Sequence, residues 1–512
     1  MIHFADWIGY WAARRPHWPA VIDHDRARPY SYAQLNTMAN GMLYRLHEDY
    51  QLQPGDCIAM LTENCIENLV LFSACQKSGL VLLPLNYRLS NPELEAILRD
   101  AAPRLCIIQD ELCEGGQLPL PPEAQAHIPV VDLEEIRDIT EDLARRPELR
   151  GARSRVSQAR PEDAILLLYT SGSSGKPKGV IYSYQMMFWN AINTWMRLDI
   201  TSTDRTVNWM PPFHTAGWNI LVTPFLHHGA TVIQQSRFDP AISLRTLEQY
   251  QATVFMAVPT MLRRMADEPY FHEVNLRPAR YLIAGGESMP PDLIARWARK
   301  GVPVRQGYGL TEAGPNITSL PQEEAESRPG SIGTPNFYLQ WALMDEQKGI
   351  LHQQAGKLGE LYLAGPIVTP GYWRQPPGAH LVEAQGQRWL PTGDLVQLSN
   401  DGYLYVLDRK ANQFISGGEN VFPSEVERTL NLHPSISEVA VVGCPDPEWG
   451  EVGVAFVVAR PHIKIDENTL RRHAATRLAG FKIPKRFHFV EEIPKTDSGK
   501  VDRKRLMSFS AL

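Results

Sequence analysis

The sequence predicts an α/β protein, and three observations carry that prediction. Up to about residue 328, apolar runs of strand length alternate with segments of helical period. Beyond that point the strands become short and are separated by glycine turns, as in GKLGELYLAG, RWLPTGDLVQL and GYLYVLD, which predicts a small antiparallel sheet or barrel. After Asp408-Arg409-Lys410, about a hundred residues mix helix and strand signals, the size of a small α+β domain. The expected architecture is a large N-terminal domain of doubly wound β/α subdomains plus a small β-barrel-like part, followed by a smaller α+β domain.

Taken in order, Ser31 can cap a helix in which Leu35, Ala39, Met42 and Leu46 share a face. CIAML (57–61) reads as a buried strand, IENLVLFSACQKSG as a helix ending at Gly79, and VLLPL as the next strand. NPELEAILRDAAP places proline at a helix start and leads into the strand RLCIIQ. Repeated β-α-β units of this kind predict a parallel sheet. Residues 110–160 are polar and proline-containing without clear period, and read as surface elaboration. Residues 185–198 read as a helix, TVNWMPPFHTAGW as a strand breaking at Pro211-Pro212, and ATVIQQ, ATVFMAV and ARYLIAGG as further strands. In the last part PSEVERTLNL and ENTLRRHAATRLA read as helices, and EVAVVG, VGVAFVV and RFHFV as strands.

Composition narrows the function classes. The 512 residues are 44% hydrophobic and 21% charged, enough for large cores. A net charge of −6 gives no reason to expect nucleic acid as a partner. No apolar run is long enough to span a bilayer, and MIHFADWIGYWAARRP lacks the pattern of a secretory signal. The six cysteines (Cys57, Cys65, Cys75, Cys106, Cys113, Cys444) form no CxxC pair, so a reduced, cytoplasmic protein without a cysteine metal site is expected.

The chemistry concentrates in a few stretches. YTSGSSGKPKGV (169–180) follows the apolar strand AILLLY and gathers Thr170, Ser171, Gly172, Ser173, Ser174, Gly175, Lys176 and Lys178. Glycines let backbone N–H groups approach phosphate oxygens, hydroxyls donate and lysine neutralises charge. The same composition also suits a flexible linker. It is not a Walker A loop, since Lys176 is followed by Pro177. In MPPFHTAGW (210–218), His214 could orient a carboxylate or simply fill a turn. AGGESM (284–289) offers Gly285 and Gly286 for close approach of a flat ligand, or a plain turn. QGYGLTEAG (306–314) packs an amide (Gln306), glycines (Gly307, Gly309), an aromatic face (Tyr308), a hydroxyl (Thr311) and a carboxylate (Glu312) into one loop, suited to a base, a phosphate and Mg²⁺. In WLPTGDL, Asp394 could accept both hydroxyls of a ribose, although aspartate in a turn is commonplace. PKTDSGKVDRKR (494–505) could be a solvated basic tail.

Their joint occurrence, in this order, resembles the adenylate-forming superfamily of acyl-CoA synthetases, peptide-synthetase adenylation domains and firefly luciferase. YTSGSSGKPKGV resembles its phosphate loop, GYGLTE its adenine and Mg²⁺ motif, and PTGD its ribose motif. LDRKANQFISGGENVFPSEVE resembles its hinge and the start of its C-terminal domain, and PKTDSGKVDR its catalytic-lysine loop. The resemblance runs from about Phe4 to about Arg505.

The resemblance implies a reaction in two halves. A carboxylate attacks the α-phosphorus of ATP to give acyl-AMP and pyrophosphate, and a thiol then takes the acyl group. It implies that Thr170–Lys178 hold the β- and γ-phosphates, that Glu312 ligates Mg²⁺ and that Thr311 contacts the α-phosphate. Tyr308 would stack on adenine near Gly286 and Glu287, Asp394 and Arg409 would bind the ribose, and Lys500 would stabilise charge between carboxylate and α-phosphate. Domains are expected at 1–408 and 413–512, joined by a hinge at 409–412, with a C-terminal domain that swings between half-reactions. Ala411 stands at the hinge position, where the family usually has aspartate or lysine. Ser416, Gly417, Gly418 and Glu419 would line the pantetheine tunnel, with Trp449, Phe481, Lys482 and Lys485 toward the nucleotide end of CoA. Asn193, His214, Thr215, Ala216, Trp218, Asn219, Ala284 and Pro315 would line the acyl pocket, and with no lysine or arginine among them a monocarboxylic acid fits best. Expected co-substrates are ATP with Mg²⁺ and CoA. The alternatives are loading of a carrier protein's phosphopantetheine and a non-catalytic binding relative, and a homodimer stays open.

Overall fold

The computed structural model describes residues 6–113, 118–121, 127–145, 159–171, 177–287, 289–345, 349–460, 465–496 and 501–510. Backbone contacts divide the chain into two compact units. The first comprises Met1–Trp341, Leu363–Glu383 and Arg388–Leu390, and the second Ala342–Tyr362, Ala384–Gln387 and Pro391–Leu512.

In the first unit the apolar runs become sheets with helices between them. Cys57–Leu61, Val81–Pro84 and Leu105–Ile108 are parallel neighbours and are buried along their whole length. Continuous burial is what a parallel strand covered on both faces requires. Val81–Pro84 also pairs in parallel with Ala164–Ser171, which turns back as an antiparallel partner of Pro177–Ser183. A second sheet sets Pro19–Asp23 beside Thr231–Gln234 and Arg205–Asn208 in parallel, so the N-terminal strand completes a sheet built over two hundred residues later. A third starts with the parallel strands Val254–Ala257, Tyr281–Ala284 and Val304–Leu310 and continues antiparallel through Gly314–Leu320 and Ser331–Pro335.

The helices start and stop where local chemistry directs. Ser31 accepts from the Gln34 N–H while the Gln34 side chain accepts from the Ser31 N–H, a reciprocal cap for Tyr32–Glu48. Ile66–Ser78 ends at Gly79 with φ 80°, a left-handed stop that glycine adopts without strain. That helix is buried on nearly every face, and its Lys77 is tolerated there because it pairs with Asp6 and Asn36.

One stretch departs from the sequence reading. Within 110–160, Val130–Asp132 is a parallel edge strand beside Leu105–Ile108, and Leu133–Ala144 is a helix with Leu133, Ile136, Thr140 and Leu143 buried. Only three or four apolar residues per two turns are needed for such a face, and the surrounding Glu and Asp residues hide it in a composition count.

In the second unit, strand alternation separates two small cores. Ile436–Asp446 and Gly450–Ala459 pair antiparallel. Val439, Val441, Ala455 and Val457 face a cluster with Val426, Leu430 and Leu470, while Ala440, Val442, Val454 and Phe456 face Ile493 and Leu506. The two-residue period of the strand thus packs helices Pro423–Asn431 and Glu467–Ala475 on one side and Arg503–Ser510 on the other.

His227 gives the first unit a pH dependence. Its Nδ1 is buried without a partner and its ring is set edge-on to Trp7. Burial, then the neighbouring His228, lowers its pKa from 6.5 to about 4. A histidine kept neutral in the native state but free to protonate when unfolded stabilises above about pH 6.5, and that stability is lost as pH falls toward 4. His227→Gln should therefore narrow the loss of stability between pH 7 and pH 5 by about 1–2 kcal/mol, read from denaturant midpoints at the two pH values. An unchanged difference would contradict it.

Candidate active site

One strand of the first unit ends beside the residues read for adenine. Ala284 and Gln306 are register partners, so Gly285-Gly286 leave the carboxyl end of Tyr281–Ala284 next to Gly307-Tyr308, which lie not in a loop but inside the longer strand Val304–Leu310 and pair onward with Ser319 and Thr318. That edge is where open α/β sheets bind ligands. A Cβ on Gly309 would lie 2.2 Å from the Pro315 carbonyl, so the hairpin of Val304–Leu310 with Gly314–Leu320 needs glycine there, while one on Gly285 would make only an ordinary 3.4 Å contact with the Gly307 carbonyl oxygen. Tyr308 is half-buried and Glu287 exposed. Gln306 is 6% exposed and its Nε2 has no partner, a buried donor of the kind a heterocycle edge would satisfy.

Thr311 and Glu312 sit on the short turn Thr311–Ala313 that joins the antiparallel strands Val304–Leu310 and Gly314–Leu320. The turn is tied down by the Thr369 N–H, which donates to the Glu312 carbonyl at 2.8 Å. The Tyr372 hydroxyl donates to Glu312 Oε1 at 3.3 Å, and Lys178 Nζ lies 5.2 Å from the centre of the Tyr372 ring. Burial, with the Glu312 charge next, pushes the Tyr372 phenol up, so it stays a donor. Lys178 is the register partner of Thr170 in the hairpin whose tip carries the predicted phosphate loop. Gly172, Ser173, Ser174, Gly175 and Lys176 lie outside the described residues, as does the Ser171 side chain. Lys178 and Glu312, 134 positions apart by number, therefore meet at one tyrosine that the sequence reading had not singled out. Its signal, an aromatic in PGYW, is too ordinary to find without the fold.

The described residues hold no group of three or more side chains able to cage a metal. One half-buried carboxylate beside a hydroxyl does suit Mg²⁺, which keeps waters and substrate phosphate oxygens as its other ligands.

The residues read for the acyl group divide by exposure. His214, Thr215 and Ala216 are half-buried, and the His214 ring lies 4.6 Å from that of Phe213. Asn193, Trp218, Asn219, Ala284 and Pro315 are buried. The Asn219 amide is committed to the Thr215 and Thr223 hydroxyls, and Trp218 Nε1 donates to the Pro212 carbonyl at 2.5 Å. Asn193 accepts from the Tyr338 N–H at 2.9 Å and leaves its Nδ2 unpartnered.

The second unit carries the remaining motifs. Asp394 and Arg409 are cross-strand partners, joined by Arg409 Nε to Asp394 Oδ1 at 2.7 Å. Asp394 is 3% exposed, and the Arg409 guanidinium also donates to the Thr392 carbonyl. Ala411 lies in the turn Lys410–Asn412, between the Lys410–Glu360 ion pair and the Asn412 amide that donates to Asp408. Gly417 (φ 61°) lies under Trp449, whose ring a Cβ there would meet at 2.7 Å, and Lys485 Nζ is 4.9 Å from a Trp449 ring centre. Ser416, Gly417, Trp449 and Lys485 are thus brought together, while Gly418 and Glu419 lie in the exposed turn and strand beyond. Lys482 is committed to the Glu425 carboxylate at 2.8 Å, and Phe481 packs on the domain core. An open hollow of about 290 Å³ is lined by Arg471, Arg472, Ala475, Gly480, Ile483 and Lys485, adding two arginines to the residues read from sequence.

Lys500 lies outside the described residues, but its flanks are fixed. Lys495 bridges Val501, the Asp502 N–H donates to the Pro494 carbonyl at 2.8 Å, and the Arg503 guanidinium grips both Glu427 oxygens at 2.7 and 3.2 Å. A bidentate pair of this kind holds orientation as well as charge.

Comparison with known proteins gives this arrangement its family. Residues 9–373 match the AMP-binding enzyme family, and residues 425–500 match the AMP-binding enzyme C-terminal domain. The chain is 35% identical to a feruloyl-CoA synthase of an Amycolatopsis species over 96% of this chain and 97% of that one. It is 32% identical to a long-chain-fatty-acid–CoA ligase of Mycobacterium tuberculosis, over 95% and 94%. The solved O-succinylbenzoate coenzyme A synthetase from Bacillus subtilis, in complex with ATP and magnesium ion, superposes with a TM-score of 0.83 at 29% identity, over 98% and 99%. The chain belongs to the AMP-binding enzyme family, as an acyl-CoA synthetase of the adenylate-forming superfamily.

Proposed function

We propose that this ligase activates a monocarboxylic acid and passes it to CoA, with the residues identified above in the following roles. Thr170–Lys178 hold the phosphates that leave as pyrophosphate. Gln306, Tyr308 and the Gly285-Gly286 turn hold adenine, and Asp394 with Arg409 the ribose. Mg²⁺, when bound, neutralises phosphate oxygens, with Glu312 as its carboxylate. Lys500 stabilises the charge that moves from the acid's carboxylate to the α-phosphate as the acyl–oxygen–phosphorus bond forms and pyrophosphate departs. In the second half-reaction the CoA sulfur forms a bond to the acyl carbon and AMP leaves. Gly417 and Trp449 line the path of the pantetheine arm. Arg471, Arg472 and Lys485 supply cations for the phosphates at its nucleotide end.

The observation that carries this reading is the meeting of Lys178 and Glu312 at Tyr372. A cation and a carboxylate from separate motifs share one place, as a magnesium polyphosphate requires. The test is pyrophosphate release over a panel of aromatic and fatty monocarboxylic acids, with and without CoA. Release with a CoA thioester as product is expected. Strong release without thioester formation would favour a carrier protein as acceptor, and no release with any acid would overturn the reading.

The hinge makes a separate prediction. Ala411→Asp places a carboxylate next to Lys410 and near buried Asp408, and should change the ratio of the two half-reaction rates. A bias of about 1 kcal/mol between orientations changes their populations roughly fivefold. Equal half-reaction rates before and after the substitution would place the pivot elsewhere.

A further inference from the structure

One turn of π-helix, Ala216–Ile220, follows His214 and Thr215 and precedes the short helix Val222–His228. Wide turns of this kind are rare and concentrate at functional sites. The sequence supplies a local reason for the break. The backbone nitrogen four residues after the Ile220 carbonyl belongs to Pro224, which has no N–H to donate and whose ring crowds that carbonyl in a regular helix. At its other end the turn is packed on the double-proline loop. A Cβ on Gly217 would lie 2.4 Å from the Pro211 carbonyl oxygen, so only glycine lets the turn come this close to the chain leading to His214.

Side-chain amides from three other segments serve the carbonyls of the π-turn. Asn208 Nδ2, at the end of the strand Arg205–Asn208, donates to the Gly217 carbonyl at 3.3 Å. Asn190 Nδ2, on the helix Tyr184–Leu198, donates to the Asn219 carbonyl at 2.6 Å. Asn316 Nδ2 reaches the same Asn219 carbonyl at 3.3 Å and the Ile220 carbonyl, the one facing Pro224, at 3.4 Å. The last two amides are themselves joined. Asn316 Nδ2 donates to the Thr194 hydroxyl at 2.6 Å, and that hydroxyl donates to the Asn190 carbonyl at 2.7 Å. Asn190, Thr194, Asn208 and Asn316 are all buried. A buried carbonyl without a donor is costly, so a turn that lost these amides would move to find other partners.

Asn316 also has a place in the nucleotide half of the site. It lies four positions after Glu312, on the strand Gly314–Leu320 that leaves the Thr311–Ala313 turn. One side chain therefore ties the turn that follows His214–Ala216 to the strand that follows Thr311-Glu312. Joining a carboxylate to a phosphorus in line depends on the distance between the loops that hold them, and an error of about 1 Å can cost about a hundredfold in rate.

We propose that Asn316 and Asn190 are positioning residues for adenylation, which hold the π-turn, and with it His214–Ala216, at a fixed distance from Thr311-Glu312. This rests on the ligase reading above and deepens it. Both amides act through backbone carbonyls of the turn and neither takes part in bond making.

The test uses the full-length enzyme and the acid of the aromatic and fatty panel that gives the fastest pyrophosphate release, with acid and ATP varied separately. Asn316→Leu and Asn190→Leu keep nearly the same volume and remove the donor. Each should lower kcat/KM for the acid about tenfold or more, leave KM for ATP within about twofold and change the rank order of acids across the panel. Thr37→Val is the control. It removes a buried hydroxyl that donates to the Ala33 carbonyl within the helix Tyr32–Glu48, and should leave both constants and the rank order as they are. Pro224→Ala gives the Ile220 carbonyl a backbone donor again, so in that background Asn316→Leu should lower the midpoint of thermal denaturation less than it does in the parent. Equal losses toward acid and ATP with an unchanged rank order of acids, or additive effects of Pro224→Ala and Asn316→Leu on the midpoint, would overturn the positioning role while the ligase reading stands. Failure of the parent enzyme to release pyrophosphate with any acid would overturn the ligase reading and this role with it.

Discussion

Replacing Lys500 by alanine should abolish acyl-AMP formation while thioester formation from supplied acyl-AMP largely survives. The first half-reaction brings an anionic carboxylate against an α-phosphate that is itself anionic, and negative charge shifts between them as the bond forms. A cation placed at that point stabilises the transition state more than the ground state, and loss of one such preorganised group typically lowers the rate by about 10²–10³. The second half-reaction starts from a neutral thioester-forming carbon and an AMP leaving group, and needs a different arrangement of charge. The flanks of the loop favour a local effect of the substitution. Asp502 to Pro494 ties the two flanks of the loop together, and Arg503 to Glu427 anchors the far side. The measurement is ATP–pyrophosphate exchange against CoA-dependent consumption of synthetic acyl-AMP. Equal loss of both would remove Lys500 from the assigned role.

Glu312→Gln should be the other large effect. The substitution keeps the side chain's shape and its capacity to accept from Tyr372, and removes only the charge. If that charge ligates Mg²⁺, adenylation should fall by about 10²–10³ and the concentration of Mg²⁺ giving half-maximal pyrophosphate exchange should rise. Tyr372→Phe separates positioning from charge. It removes a single 3.3 Å hydrogen bond, so a loss of roughly tenfold or less is expected, with the Mg²⁺ requirement nearly unchanged. An unaltered Mg²⁺ half-saturation in Glu312→Gln would take the metal away from this residue.

The candidate site could be read from sequence because the motifs it is assigned from are contiguous and resemble those of the adenylate-forming family. A loop that lets backbone approach phosphate must be rich in glycine, and the hydroxyls, lysines and carboxylates that finish the work sit next to those glycines in QGYGLTEAG and YTSGSSGKPKGV. QGYGLTEAG, read as a loop, is mostly strand: Gln306–Leu310 belong to Val304–Leu310, and only Thr311–Ala313 form the turn. The amphipathic helix Leu133–Ala144 was not legible in the same way, because its few buried residues are scattered among charges.

By itself the sequence determined the α/β class and the order of the motifs, which depend on local spacing and local residue types, and the resemblance of those motifs to the adenylate-forming family implied the chemistry. Only the tertiary structure decided which distant groups meet and which remain unpaired. Tyr372 joins Lys178 to Glu312 across three segments of chain, Trp449 covers Gly417, and Arg503 anchors the end of the lysine loop to Glu427. The physical reason is that a hydrogen bond left unmade is a property of packing. Gln306 reads as one more polar residue beside glycines until the fold buries it and leaves its Nε2 without a partner, a donor that a ligand's acceptor would satisfy.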